Sequence, residues 1–366
     1  MEIKGASLFS GVDLNDNAAV MARIRILSAK PQMLILSGLP ASGKTTIAKA
    51  WVTEDPDSRI RVNWDDMRLA RYGEYWKFNR KEENDMKAAS YEVARKALQA
   101  GLSVVIDNTN LTPKVRAMWA QIGANAGAEV IYEEVDTSVL ECVRRDRARS
   151  GHARVGRAVI ERMALDHGFI DWQDYPNRFV ICDIDGTLSD PTHRLHLVKG
   201  GTFKHKMDCT AKCSCGNEDD GAGCPRGCPA RIMREFGRCP QCGAREFKDW
   251  DKFHELVSED PVKAPISKLL GHFRSLGYHI IICSGRWLDK GCGKATEDWL
   301  ELYNIQYDHL FMRAGSDSRE DSIVKQEILD LLPKDKIDYV LDDRDRVVTM
   351  WRKNGLTCLQ VSPGGF

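Results

Sequence analysis

Short apolar runs alternate with amphipathic stretches along most of this chain. Residues 33–38, MLILSG, are almost wholly apolar and end on glycine. Similar runs are SVVIDNTN at 103–110 and EVIYEEV at 129–135. Runs this short, bounded by glycine or polar residues, predict strands buried on both faces. Between them, helical spacing predicts a helix from near Lys44, one over Lys81–Ala100 and one over Thr112–Ala126. The same rhythm returns later. Strands are predicted at Phe179 (FVICDID), 278–286 (YHIIICSGR) and 338–344 (DYVLDDR), with helices over Pro261–Leu276 and Ser322–Leu332. Alternating β and α segments imply parallel sheets covered by helices, an α/β fold.

The sequence YPNR at 175–178 reads as a linker, with Pro176 as the breaker. It divides the chain into an extension at 1–30, a first domain at 31–174 and a second at 178–366. Ala18–Leu27 has the pattern of a short helix in the extension. The second domain is interrupted at 200–247 by a segment rich in Cys, Gly and Arg. At 366 residues and 43% hydrophobic the chain has enough for two cores. Basic and acidic residues balance at 53 each, so the molecule as a whole carries no electrostatic signature of nucleic-acid binding. No apolar stretch nears the ~18 residues that span a bilayer. The N-terminus lacks the pattern of a secretory signal. A reducing compartment, the cytoplasm (a host's, for a phage-encoded protein), is expected.

Gly38-Leu-Pro-Ala-Ser-Gly-Lys-Thr45 matches the P-loop pattern in full, between a strand and a helix. Its glycines let backbone N–H groups wrap phosphate. Lys44 reaches the outer phosphates and Thr45 ligates Mg²⁺. Beyond it, Asp65 follows a strand and is placed to take a proton from an attacking hydroxyl. Equally, it is placed to cap a helix, unless Asp66 does so. Arg68, one turn on, suits an anionic group of the acceptor. Seven arginines crowd 143–162 (Arg144, Arg145, Arg147, Arg149, Arg154, Arg157 and Arg162), opposed by Asp146 and Glu161. They read as a solvated face or, preferably for at least one of them, as a lid over ATP whose charge offsets that of the transferred phosphoryl group.

Asp183-Ile-Asp185-Gly-Thr187 ends an apolar strand and holds two carboxylates two residues apart, on one side. One can attack phosphorus while the other protonates the leaving oxygen. The motif resembles that of haloacid dehalogenase phosphatases. The family's other elements follow in order: Ser284 for phosphate, Lys325 for charge, and the acidic pair Asp342 and Asp343 for Mg²⁺.

A P-loop kinase followed by such a phosphatase resembles the phage-type polynucleotide 5′-kinase/3′-phosphatase family, over roughly residues 33–366 apart from the insert. Asp65, Asp66 and Arg68 match its acceptor side. Asp107 to Pro113 (DNTNLTP) matches a family segment, with Asn108 additional, and the tail from Leu341 through Trp351 to the closing SPGGF is similar. The resemblance implies that Asp65 is the general base for a 5′-hydroxyl, and that Arg68, Asp107 and Thr109 bind the acceptor. Gly38, Ser42, Gly43, Lys44, Thr45, Thr46 and Arg145 would hold ATP, with Arg149 the preferred transition-state arginine. In the second domain it implies Asp183 as nucleophile and Asp185 as acid/base. Ser284, Gly285, Arg286, Lys325 and Arg344 would hold the phosphorylated end. Asp183, Asp185, Asp342 and Asp343 would bind Mg²⁺. Such an enzyme gives RNA or DNA ends the 5′-phosphate and 3′-hydroxyl that a nucleic acid ligase needs. A homo-oligomer is the form the family suggests. The competing enzyme reading is a nucleotide or small-metabolite kinase fused to a phosphatase of unrelated substrate. A third is a binding adaptor with degenerate catalytic domains, against which the intact Lys44, Thr45, Asp183 and Asp185 argue.

Seven of the twelve cysteines lie in the insert: Cys209, Cys213, Cys215, Cys224, Cys228, Cys239 and Cys242. In a reducing compartment such clustering reads as metal-binding before disulfides. Cys239-Pro-Gln-Cys242-Gly is a zinc-knuckle half. One structural Zn²⁺ is expected. A second would need an eighth ligand, with His205 or His193 as candidates. The insert falls where related phosphatases place a cap over the active site.

Overall fold

The computed structural model describes residues 30–73, 80–198, 248–289, 291–315 and 317–364. The helix expected at Ala18–Leu27 and the seven insert cysteines lie outside these. Contacts divide the chain into two units: Met1–Val155 with His167–Phe169, and Gly156–Asp166 with Ile170–Phe366.

The first unit's described elements are β1 (Gln32–Ser37), α1 (Lys44–Glu54), β2 (Arg59–Val62), α2 (Trp64–Tyr72), α3 (Arg80–Gln99), β3 (Ser103–Asp107), α4 (Pro113–Asn125), β4 (Glu129–Glu134) and α5 (Val139–Arg147). The strands form one parallel sheet in the order β2-β3-β1-β4. Central β1 is buried along nearly its whole length, which explains its unbroken apolar sequence. Its side chains alternate between the two faces. Met33 and Ile35 join Val104, Ile106 and Trp119 on one side. Leu34 and Leu36 join Val105 and Ala48 on the other. Leu36 lies beside Asp107 in register, so the segments leaving β1 and β3 emerge together at the sheet's C-terminal edge.

The second unit's described elements are α6 (Arg157–Asp166), β5 (Phe179–Cys182), α7 (Trp250–Glu255), α8 (Ala264–Ser275), β6 (His279–Trp287), α9 (Cys292–Leu302), β7 (His309–Arg313), α10 (Asp321–Asp330), β8 (Ile337–Arg344), α11 (Asp345–Lys353) and β9 (Cys358–Gly364). Its strands are all parallel, in the order β7-β6-β5-β8-β9. Both faces are covered. Val180, Cys182, Ile280 and Ile282 face one core, and Phe179, Ile181, Ile281 and Cys283 the other. The predicted α/β class and parallel sheets are what the chain forms. β7 and β9 were not among the strands the apolar runs marked.

One segment sits differently from its place in the sequence. α6 precedes the YPNR linker, yet it packs in the second unit. Its buried Glu161 accepts the backbone N–H of Leu310 at 2.7 Å. Arg157 pairs with Glu161 at 2.9 Å and donates to the Asp308 carbonyl. Arg162 pairs with Asp166 at 3.0 Å and reaches the Met312 carbonyl at 3.4 Å. These two arginines are therefore committed to this interface with β7 and are not free for a lid. The linker's Tyr175 likewise packs on the second core, with Trp172.

Trp351 on α11 is fully buried in that core, and its indole N–H donates to Asp342 Oδ2 at 3.1 Å. Trp351→Ala should cost about 3–5 kcal/mol, the range for a buried aromatic truncated to alanine. Chemical denaturation followed by circular dichroism measures it.

Candidate active sites

The P-loop leaves β1 through Gly38, whose N–H donates to the Thr109 carbonyl at 3.0 Å. Gly43 has φ +114°, a left-handed conformation that glycine adopts without strain. No side chain caps α1 after it. The helix therefore presents its N-terminal N–H groups as an anion site, and the residues fit a nucleotide's phosphates. Thr45 and Thr46 are exposed at that end. Lys44 is folded back onto the loop, donating to the carbonyls of Gly38 at 2.9 Å and Leu39 at 2.6 Å. Burial pushes its pKa down to about 8.

Asp65 does not cap α2, and neither does Asp66. The cap is Asn63, whose side chain accepts the Asp66 N–H at 2.9 Å. This leaves the exposed Asp65 carboxylate to its ion pair with Arg68 Nη1 at 2.5 Å. Glu83 holds the rest of the Arg68 guanidinium, at 2.6 and 3.0 Å. Burial works to raise the Glu83 pKa, but the Arg68 hydrogen bonds and charge outweigh it and hold the carboxyl low. Buried Asp107 accepts from Arg61 Nε at 2.7 Å and points away from solvent. Thr109 contributes its carbonyl to the loop, as above. Asn108, the residue additional to the family segment, accepts the Trp64 N–H at 2.8 Å. It thereby ties the end of β3 to the start of the helix that carries Asp65. Sequence reasoning had found no purpose for Asn63 or Asn108.

Of the lid arginines, Arg145 touches the P-loop, donating to the Ser42 carbonyl at 2.9 Å. Arg149, the preferred choice from sequence, donates instead to Ala153 O at 3.3 Å and lies 3.8 Å from Asp146.

In the second unit, the acidic and basic groups converge at the C-terminal edge of β5, β6 and β8. Lys325, buried on α10, bridges Asp183 Oδ1 at 2.8 Å and Asp342 Oδ2 at 2.9 Å. Asp183, Asp342 and Asp343 place one oxygen each within 4.8 Å of one another. Gly186, φ +85°, makes room for this. A Cβ there would lie 2.2 Å from Asp343 Oδ2. Three carboxylates around one ammonium leave two negative charges unbalanced. The buried Asp343 Oδ2 has no hydrogen-bond partner among the described residues. Both facts fit a divalent cation with hard oxygen ligands, as Mg²⁺ is. Burial drives the Asp183 pKa up, against the pull of Lys325, and burial with neighbouring Asp342 pushes Asp343 up to about 6.

The structure draws Asp185 away from that cluster. Its carboxylate accepts from Arg286 at 2.7 and 3.0 Å and from Arg194 at 2.6 Å. Despite burial, these two guanidiniums hold it well below the usual carboxylate range. Asp260, fully buried, accepts from the same two arginines, each at 2.6 Å. Arg286 is thus spent on two carboxylates and does not stand open for phosphate. His193, a candidate zinc ligand from sequence, lies 3.8 Å from Asp260. Ser284 Oγ accepts the Arg286 N–H at 3.2 Å. Asp321 collects Arg313 at 2.8 Å and Arg344 at 2.9 Å. A Cβ on Gly285 would meet Asp321 Oδ1 at 2.2 Å, so glycine is required at this crossing. Arg194, Asp260, Arg313 and Asp321 carried no motif signal. Asp260 lies 66 residues from Arg194 and 26 from Arg286, and Asp321 lies 23 from Arg344.

Two parallel α/β units, one ending in a phosphate loop and one in an aspartate–lysine–aspartate cluster, make this a P-loop domain joined to an aspartate-nucleophile phosphatase domain. The comparisons agree. Residues 237–366 match the family model of the polynucleotide kinase PNKP phosphatase domain, and residues 33–167 that of the AAA domain. The second unit thus contains a PNKP-type phosphatase domain. Its first motif, Asp183 to Thr187, lies before the matched stretch, separated by the insert. The chain is 23% identical over 359 residues to a protein of Autographa californica nuclear polyhedrosis virus assigned as a bifunctional polynucleotide kinase/RNA ligase. That match covers 92% of this chain but 43% of the relative, so the chain spans under half of that relative's length. A chain in the solved Pnkp1/Rnl/Hen1 RNA repair complex is 25% identical, with 92% of this chain and 97% of that one covered, at a TM-score of 0.35. The Mycobacterium tuberculosis APS kinase CysC is 22% identical over 32% of this chain and 70% of its own, at a TM-score of 0.27. Superpositions this loose transfer no positions. Among the described residues no helix is long and apolar enough to cross a membrane.

With an ordinary pKa of 3.8 raised to about 6, Asp343 favours the protonated folded state. In metal-free protein its contribution to stability is full below about pH 4 and is lost as pH rises through 6. Mg²⁺ must displace that proton. Its affinity should therefore fall steeply below pH 6 and level off above 7, as calorimetric titration at pH 5.5 and 7.5 will measure.

Proposed function

We propose that the chain is a bifunctional nucleic-acid end-healing enzyme, phosphorylating 5′-hydroxyl ends and removing 3′-phosphates. The carrying observation is that a PNKP-type phosphatase domain, with its cluster assembled around Lys325, shares one chain with a P-loop whose acceptor side offers an uncapped Asp65 beside Arg68. The names of the relatives, a polynucleotide kinase/RNA ligase and an RNA repair complex, support the same reading and favour a ligase as the functional partner.

In the kinase step Asp65 takes the proton of the 5′-hydroxyl. The hydroxyl oxygen bonds to the γ-phosphorus of ATP, and the bond to ADP breaks. Arg68, released from Asp65 as the acceptor enters, steadies an acceptor phosphate. Lys44 leaves the loop carbonyls for the nucleotide phosphates, and Arg145, already against the P-loop, closes over them with Arg149. Asp107 and Thr109 support the acceptor loop from below.

In the phosphatase step Asp183 attacks the 3′-phosphorus and the bond to the 3′-oxygen breaks. Asp185 supplies a proton to that oxygen, then takes one from the water that releases phosphate from Asp183. Asp185 is set as the base by Arg286 and Arg194. Substrate entry must loosen one of those contacts for it to carry the acid's proton. Ser284 and Lys325 hold the phosphoryl oxygens, with Gly285 and Arg344 at the cleft. Mg²⁺ on Asp183, Asp342 and Asp343 would offset the charge between carboxylate and phosphate. The same assignment extends to 2′,3′-cyclic ends. We further propose, from the cysteine spacing, a structural Zn²⁺ on the insert's cysteines and, from the same cysteine usage, a cytoplasmic location.

The test is an oligonucleotide with a 5′-hydroxyl and a 3′-phosphate, incubated with ATP and Mg²⁺. Phosphate should be gained at one end and lost at the other. No change at either end overturns the proposal. Lys44→Ala or Asp65→Ala should abolish only the gain, and Asp183→Ala only the loss, each by 100-fold or more, on the order expected for groups at the reacting atoms.

A further inference from the structure

The cleft over Asp183 and Asp185 has a volume of about 260 Å³. Sites that enclose a whole drug-sized ligand run from about 300 to 1,000 Å³. This one falls below that range, so part of a nucleotide would stay outside it. One wall of the cleft is aromatic, built from Trp250, Phe253, His254 and Trp287. His254 lies against Trp287 with ring centroids 4.5 Å apart, and Trp250 stacks over His254 at 6.1 Å. Burial pushes the His254 pKa down to about 4, so at neutral pH the middle ring of this stack is uncharged. Trp119, Trp299 and Trp351 are each at most 1% exposed, whereas Trp250 is 41% exposed. Its indole is thus an open π-surface carried by the first turn of α7, beside the reacting groups and outside every motif.

The arginines at the cleft do not offer a competing explanation. Arg313 and Arg344 share the one carboxylate of Asp321, Arg319 pairs with Asp317 and Glu327, and Arg346 with Glu320 at 3.6 Å. That leaves about one positive charge at the cleft, which suits the 3′-phosphate itself and does not account for the aromatic wall. Stacking needs no charge and reads every base, because each base has a π-face. It does need a base that is free of a duplex.

We propose that Trp250, supported by His254 and Trp287, is a stacking platform for the unpaired 3′-terminal nucleobase of the phosphatase substrate. This deepens the end-healing reading and rests on it. The platform makes Trp250 a positioning residue. It fixes the sugar so that its 3′-phosphate meets Asp183, and it directs the site to single-stranded 3′-phosphate ends without regard to sequence.

The experiment compares a single-stranded oligonucleotide 3′-phosphate with the same oligonucleotide ending in an abasic 3′-phosphate, in the full chain with Mg²⁺. Trp250→Ala should raise KM about 5- to 150-fold for the base-bearing end, the range that stacking on one aromatic ring supplies. kcat should change little, and the abasic end should be turned over as by the parent protein. Trp250→Phe should recover most of the loss. Equal losses on both ends, or no loss on either, overturn the proposal. Should the parent protein hydrolyse neither end, the phosphatase reading falls. The platform is then judged by fluorescence polarisation, in which Trp250→Ala must weaken binding of the base-bearing end relative to the abasic one.

Discussion

The second unit is organised around one buried ammonium. Lys325 sits between Asp183 and Asp342, and Asp343 stands beside them with an oxygen that no described residue meets. In a low-dielectric interior such a charge imbalance is costly unless something is missing that completes it. The imbalance is tolerated because strong scaffolding surrounds it. Trp351 holds Asp342 from the core, and Gly186 gives up its side chain so that Asp343 can approach. The chemistry of the site follows from this. A cluster short of positive charge is a place where phosphate can be brought only together with a cation.

Asp185 sits instead in a balanced network of two buried guanidiniums and two carboxylates, its own and that of Asp260. Two aspartates separated by one residue therefore live in contrasting fields, Asp183 pushed towards protonation and Asp185 towards ionisation. The nucleophilic role proposed for Asp183 therefore depends on Lys325, and on a cation beside it, to keep its carboxylate ionised. The first unit uses lighter means. Arg68 is shared between Asp65 and Glu83, and Lys44 rests on loop carbonyls. These contacts are exchangeable, as suits groups that must let go when nucleotide and acceptor arrive.

Much of the fold was legible because parallel strands buried on both faces leave uninterrupted apolar runs, as at MLILSG and YHIIIC. Most motif residues stood out for the same reason, being anchored to the end of such a run, whereas Lys325 lies on a helix. What misled was sequence proximity. Seven arginines crowd twenty residues, with a lid role expected of at least one, but a helix can pack on a strand about 150 residues away. Arg157 and Arg162 went to β7 with Glu161. Arg286, two residues after Ser284, turned instead to Asp185 and Asp260.

The sequence by itself determined the two α/β units, the P-loop, and the Asp183 motif with Lys325, Asp342 and Asp343 that the fold brings beside it. These depend on local spacing and on strands that end where the motif begins. Only the tertiary structure decided that Asn63 frees Asp65 from capping, that Arg194 and Asp260 join Arg286 around Asp185, and that an exposed tryptophan stands at the cleft. Each of these is a meeting of side chains from separate elements. Their pairing is set by how helices and strands pack in three dimensions, and no residue's neighbours along the chain record it.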